Sequence, residues 1–597
     1  MTVRIDVRRL LSLHTWTVFD VDPDGRVLAG WDGPGSVQLV EIAPDGHHTV
    51  LTDLPGACSG RYVVGERAVV VEHDADGNER AQLSLLPLEP LPSQPASLAD
   101  LEPLVRDPEA IHSLVDVLPG HLVYSTNRRN RVDFDVVVHA MASGAERTVY
   151  DGGGYVAEAT ARADLCAVTL VSQQPCSTQV LLSDQDGTRA LTPADEHALH
   201  ERVHLLDDGG LVLGTNSGRE MTAVVRLAVD GTRTTLVESD ERDLHPIVAP
   251  DGRTMLVVAG VDGGHEIALH DIDGGHRRPV ALATHGVCTA VWSAESRWLA
   301  IGLVSPTRPG DVLLLDAASA ELRSLVDSTE QLAPDVAGAL VEPTSHRIPA
   351  RDGESIPCFV YAPSAPDASL AGSVVVNVHG GPEAQARRVF NPVVQALVAA
   401  GHIVLVPNVR GSTGYGKRWY SLDDVRLRLE SVADLADLRA WVPSVGGDPD
   451  RVALYGGSYG GYMVLAGLSM QPELWAAGVD VVGMSSLVTF LENTSAYRRA
   501  SREREYGRLD DDRDFLETAS PLTHLDAMVA PLFVIHGAND PRVPLTESEQ
   551  IKAALDAKGV ACTLLVYADE GHGLAKRKNR LDAYPQVLQF LQERLGR

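Results

Sequence analysis

The sequence is poor in cysteine. Six residues stand singly at 58, 166, 176, 288, 358 and 562, and none belongs to a C-x-x-C pair. So few in a chain this long exclude a disulfide framework and argue against a cysteine-built metal site. The opening MTVRIDVRRLLSLHTWTVFD has no uninterrupted apolar core and no small-residue cleavage site, so it does not read as a leader. No run approaches the ~20 apolar residues of a membrane span. Positive charge is scarce: 51 Lys and Arg stand against 81 Asp and Glu, a net charge of −30. Such a chain repels nucleic acid and anionic membrane, so neither is expected as a partner. The acidic residues are dispersed, which fits a solvated surface. A cytoplasmic enzyme is the expectation that remains.

Long helices are scarce between residues 20 and 330. A short amphipathic helix fits around 7–11. Beyond it, β-branched runs such as Val69–Glu72, Phe134–His139, Leu211–Gly214 and Val312–Leu315 alternate with Asp-Gly turns. The turns recur at Asp24-Gly25, Asp45-Gly46, Asp76-Gly77, Asp186-Gly187, Asp230-Gly231, Asp251-Gly252 and Asp273-Gly274. Asp-Gly between apolar alternations signals a hairpin, and type I′ geometry is expected at these positions. The segments Ala43-Pro44-Asp45-Gly46 and Ala249-Pro250-Asp251-Gly252 look like repeated blade entries. About 310 residues at 40–45 per blade predict a seven-bladed β-propeller. Asp74, Asp76 and Asn78 lack the rest of a calcium loop. The basic clusters at 128–131 and 277–278 read as exposed turns.

The period changes after about residue 340. Strands and helices alternate, and the apolar strands lack strict alternation. That pattern predicts a doubly wound, mostly parallel sheet covered on both faces. The expected division is an N-terminal segment 1–20, a propeller 21–335 and an α/β-hydrolase domain 336–597.

The stretch RVALYGGSYGGYMVLAGLSM, 451–470, reads as strand, sharp turn and helix. Its Gly456-x-Ser458-x-Gly460 pattern is that of a nucleophile elbow. A serine hydroxyl needs a histidine to take its proton and a carboxylate to hold that histidine. Asp540 follows one predicted strand in HGANDPRVP, and His572 follows another in ADEGHGL. The order Ser458, Asp540, His572 is that of α/β-hydrolases. His536, His524, Asp569 and Glu570 are nearby candidates for which bracing roles are expected. The oxyanion hole needs two donors. The N–H of Tyr459 is one, and the loop His379-Gly380-Gly381-Pro382 should supply the other.

The motifs HGGPEAQ, PNVRGSTGYGKRW, YGGSYGGYM, NDPRVP and DEGHG, in this order, resemble the prolyl oligopeptidase family, and its acylaminoacyl-peptidase-like branch in particular. The resemblance implies a peptidase with its site between propeller and hydrolase domain, open to short peptides. It implies Ser458 as nucleophile, His572 as general base, Asp540 as orienting carboxylate, and backbone donors from Gly381 and Tyr459. It implies that Arg542 hydrogen-bonds a substrate carbonyl. Residues 410–416 resemble a structural loop beside the site. Phe490 and Leu491, within 484–506, are expected to line an apolar specificity pocket. The expected reaction removes an acylaminoacyl or aminoacyl residue from a short peptide. An aminopeptidase or amide hydrolase acting on puromycin-like aminoacyl compounds, a dipeptidyl peptidase and an esterase stay open. No metal or cofactor is expected, and a homo-oligomer stays open.

Overall fold

A computed structural model describes residues 6–162, 164–172, 176–364 and 368–597. Seven four-stranded antiparallel sheets precede one eight-stranded sheet. The seven sheets are the blades of a propeller. Their first strands are Trp16–Val21, Cys58–Tyr62, His112–Leu118, Val156–Arg162, His200–Leu205, Leu244–Val248 and Val287–Trp292. Each blade uses four strands consecutive in sequence, so no strand is exchanged across the ring closure. The seam is apolar instead. Val18, Val27 and Val40 of the first blade pack with Trp298, Ala300 and Leu314 of the last. Trp298 Nε1 also donates to the Pro23 carbonyl at 3.2 Å.

The turns depart from expectation in type. At Gly25, Gly46, Gly231 and Gly274 only the glycine has positive φ. The N–H of each bonds the carbonyl three residues back. This is a type I turn closed by a left-handed glycine, the three-residue hairpin solution, because the residue before each glycine stays right-handed. Type I′ geometry is found in the second blade. There Asp76 (φ 52°) and Gly77 (φ 77°) are both left-handed, and Asn78 N–H bonds Ala75 O at 3.1 Å.

The second domain is built on strands β1 (Thr344–Pro349), β2 (Ser355–Tyr361), β3 (Val374–Val378), β4 (Ile403–Pro407), β5 (Val452–Gly457), β6 (Ala477–Val481), β7 (Leu532–Gly537) and β8 (Cys562–Tyr567). Their order is β1-β2-β4-β3-β5-β6-β7-β8. β2 pairs antiparallel with both β1 and β4, and all the other pairs are parallel. Helices cover both faces, and each face has its own apolar core. The C-terminal ends of β5, β7 and β8 therefore open on one edge, where ligands bind in such sheets. The short helix Val7–Leu11 precedes the propeller in sequence, yet Leu10 and Leu11 are buried with Leu397 and Leu588 of the hydrolase domain. Among the described residues no helix is long and apolar enough to cross a membrane.

Candidate active site

Strand β5 runs straight into the helix Tyr459–Met470, and Ser458 is the hinge. Its φ of 58° and ψ of −118° lie where a residue with a Cβ seldom goes. Strain of this kind persists only where the surroundings hold it. Two glycines allow the hold. A Cβ on Gly456 would sit 2.3 Å from Gly460 O, and one on Gly460 would sit 2.1 Å from Val378 O.

Tyr459 is wholly buried. Its hydroxyl pairs with Ser431 Oγ at 2.7 Å, and its ring stacks on Tyr462 with centroids 5.7 Å apart. Below it lies Arg428, 5.1 Å from the ring centroid and paired with Asp423 and Glu505. All three charged groups are buried. The Tyr459 N–H is the first donor of the helix and has no partner among the described residues.

The loop after β3 lies against this turn. A Cβ on Gly380 would come within 3.3 Å of Ser458 Cβ. Gly381 has φ 138°, and its N–H likewise has no described partner. His379 braces the loop. Its Nδ1–H donates to Gly380 O at 2.7 Å, and Ser412 Oγ lies 2.8 Å from its Nε2. Burial holds the His379 pKa below its ordinary value. Ser412 belongs to the 410–416 loop. Arg410 anchors that loop to Asp434 and Asp352 at 2.9 and 2.7 Å.

Asp540 and His572 meet as expected from the order of the strands. His572 Nδ1–H donates to Asp540 Oδ2 at 2.7 Å. Asp540 Oδ1 accepts the N–H groups of Arg542 and Val543 at 2.8 and 3.0 Å, which fixes the carboxylate. His536 bonds Ser548 Oγ and Val543 O, and Glu570 accepts the Ala575 and Lys576 N–H groups. These residues brace the two loops. His524 bonds Thr518 O at the surface. No hydrogen bond joins Ser458 Oγ to His572 Nε2, and neither atom has another partner among the described residues.

Arg542 reaches the propeller. Its Nε donates to Glu79 Oε1 at 2.5 Å. Glu79 follows the type I′ turn of the second blade and itself has φ 57°. The same turn meets the histidine loop, since a Cβ on Gly77 would lie 2.6 Å from Gly571 N. Lys576 Nζ pairs with Asp76 at 2.9 Å. One hairpin thus touches the loops carrying Asp540 and His572. Glu79 gave no signal in the sequence beyond its place after an Asp-Gly turn.

A cavity of about 660 Å³ opens between the first blades and Tyr497, Arg498 and Arg542. A second, of about 880 Å³, lies between the later blades and the 413–416 loop. Phe490 and Leu491 line neither cavity, which corrects the expectation for them. They are 2% and 0% exposed and belong to the core, where Phe490 meets Tyr506 edge-on at 5.8 Å. They occupy the inward face of the helix Leu487–Asn493. The 484–506 stretch reaches the cavity through Tyr497 and Arg498 instead. The basic cluster at 128–131 is paired: Arg128 with Glu146, Arg129 with Asp135, Arg131 with Asp107.

Residues 388–597 match the Prolyl oligopeptidase family. "Dipeptidyl peptidase family member 6" of Caenorhabditis elegans is 37% identical over 230 residues, 37% of this chain and 31% of that protein. "Dipeptidyl aminopeptidase BIII" of Pseudoxanthomonas mexicana is 37% identical over 262 residues, 42% of this chain and 38% of that protein. The chain thus matches less than two thirds of the length of these curated relatives. A solved puromycin-hydrolyzing peptidase of Mycobacterium tuberculosis superposes with a TM-score of 0.84 at 20% identity, over 99% of this chain and 96% of that one. At that identity the likeness speaks for the fold alone.

Proposed function

We propose, for a chain that carries a prolyl oligopeptidase family domain, that it is a serine peptidase. Ser458 attacks the carbonyl of an N-terminal acylaminoacyl or aminoacyl residue of a short peptide. The observation that carries this reading is the Asp540–His572 hydrogen bond at the sheet edge where strained Ser458 stands. Asp540 holds the proton on His572 Nδ1, leaving Nε2 as the base. Nε2 takes the Ser458 proton as Oγ adds to the carbonyl, and the Tyr459 and Gly381 N–H groups receive the oxyanion. Collapse expels the amine, which takes the proton from Nε2. Water then releases the acyl group by the same steps in reverse roles. Ser458 and His572 must close to hydrogen-bond distance for this. Such contacts are often long before substrate binds.

A blocked N-terminus fits the cavity better than a free amine. A bound ammonium needs an available carboxylate. The three carboxylates on the wall of the 660 Å³ cavity are Glu72, Asp74 and Glu79, and each already accepts from the protein. Glu79 holds Arg542, Asp74 caps its own turn through Gly77 and Glu79 N–H, and Glu72 accepts Leu114 N–H at 2.6 Å. A second reading, hydrolysis of aromatic aminoacyl amides, draws on Phe134, Tyr155 and Tyr497. These rings sit edge to face on the same wall, 5.6 and 5.7 Å apart.

The test is a product assay on matched peptides with acetylated and free N-termini, alongside aminoacyl amides and simple esters. Ser458 should be labelled by a fluorophosphonate. Residual peptide hydrolysis by Ser458→Ala would end the proposal.

A further inference from the structure

The wall opposite Glu79 carries two arginines that no acid of the described residues pairs. The helix Ala496–Tyr506 places Arg498 and Arg502 four residues apart, hence on one face. Arg502 Nη1 lies 3.4 Å from Gly381 O, so this face borders the loop next to Ser458. Arg498 lines the same 660 Å³ cavity as Arg542. Among the described residues no carboxylate lies within ion-pair distance of Arg498 or Arg502. The Nε atoms of both are buried without a hydrogen-bond partner. Burial and the charges of Arg502 and Arg542 hold the Arg498 pKa below its ordinary value. Arg542 has an acid, Glu79, whereas Arg498 and Arg502, near enough to feel each other's charge, have none among the described residues. A half-buried guanidinium whose Nε is shut off from water gains from a ligand that supplies a counterion. A planar guanidinium matches a carboxylate with two parallel hydrogen bonds.

We propose that Arg498, supported by Arg502 and Arg542, receives a carboxylate of the peptide substrate beside the scissile bond. The preferred substrates are then short peptides with an anionic group at that point. The group is either an acidic side chain or the free C-terminal carboxylate of the departing segment. This rests on the peptidase reading given above and names the substrate class of that site.

The test separates the two sources of carboxylate and does not depend on turnover. Acetylated dipeptides are compared in pairs, Glu against Gln at the residue carrying the scissile carbonyl, and free acid against amide at the C-terminus. Binding is measured by calorimetry to Ser458→Ala, with and without Arg498→Gln, and kcat/KM is measured for the same pairs with Ser458 intact. The expected result is a charged-over-neutral ratio of about 10-fold or more in one pair, through the lost charge-assisted bonds. That ratio should fall towards one in Arg498→Gln and be partly restored in Arg498→Lys. Ratios near one in both pairs overturn the proposal, as does an Arg498→Gln effect equal on charged and neutral peptides. Selective binding without any turnover would leave the carboxylate site standing and remove the peptidase reading.

Discussion

Glu79 and Arg542 stand 463 residues apart in sequence and 2.5 Å apart in space, a contact that joins the second propeller blade to the loop that carries Asp540. The pair is partly exposed, so it adds less than about 1 kcal/mol to stability. Its weight is expected in substrate handling. Arg542→Ala should lower kcat/KM on acetylated peptides about 10- to 100-fold, the range of a charge-assisted hydrogen bond. Glu79→Gln should act mainly on KM and leave thermal unfolding near that of the parent. Steady-state kinetics on acetylated and free-amine peptides check this. A Glu79→Gln loss confined to free-amine peptides would instead make Glu79 the amine anchor of a dipeptidyl peptidase.

Asp540→Asn should keep the loop and lose the chemistry. The amide can still accept the Arg542 and Val543 N–H groups through its oxygen. Its NH₂ group would face His572 Nδ1 and favour the wrong tautomer. The expected drop in kcat is about 10⁴-fold, with KM little changed. Acyl-enzyme burst kinetics with an activated ester read the step directly. A drop below tenfold would remove Asp540 from the orienting role.

The loops carrying Ser458, Asp540 and His572 could be placed in advance because each follows a strand with a local signature. Gly456 and Gly460 are required by backbone approaches of 2.3 and 2.1 Å, so the pattern and the geometry are the same fact. The blades were legible for a similar reason, since positive φ at Gly25 or Gly46 is a local need. Contacts between domains leave no local trace. The Asp76-Gly77 turn looks like its siblings in sequence, yet its hairpin docks on the loops that carry Asp540 and His572. Phe490 and Leu491 illustrate the opposite error. Apolar residues on a short helix serve the core first, and here the core takes them both. Arg498 and Arg502 went unmarked because a charged helix face ordinarily faces water.

Asp480 gives the stability of the hydrolase domain a pH dependence. It sits on β6 beneath the elbow helix, wholly buried, with neither carboxyl oxygen hydrogen-bonded. Burial pushes its pKa up to about 7, and the Gly483 amide opposes this only weakly from outside hydrogen-bond geometry. The unfolded value is about 3.9, so between those limits the folded chain holds a proton that the unfolded chain releases. Stability contributed by the neutral acid is present below about pH 4 and is lost as pH rises to 7. The full penalty above pH 7 is on the order of 4 kcal/mol. Asp480→Asn should therefore raise Tm more at pH 8 than at pH 5. Equal shifts at the two pH values would count against a buried, titrating Asp480.

Arg428 is the last test, because it separates stabilising the fold from positioning the oxyanion donor. Its guanidinium is fully buried between Asp423 and Glu505 and lies under the Tyr459 ring. Burial pushes the Asp423 pKa well up, neighbouring acids push it further, and Arg428 draws it down. Arg428→Met leaves two buried carboxyl groups without a counterion and should cost about 3–5 kcal/mol. Adding Asp423→Asn and Glu505→Gln removes that charge imbalance, and much of the loss should return. Activity need not return with it. The Tyr459 ring would still lack the cation beneath it, and its N–H would be held less firmly toward the oxyanion. A triple variant with recovered Tm and a kcat still depressed about tenfold or more would assign Arg428 to positioning. Recovery of both together would make the network structural only.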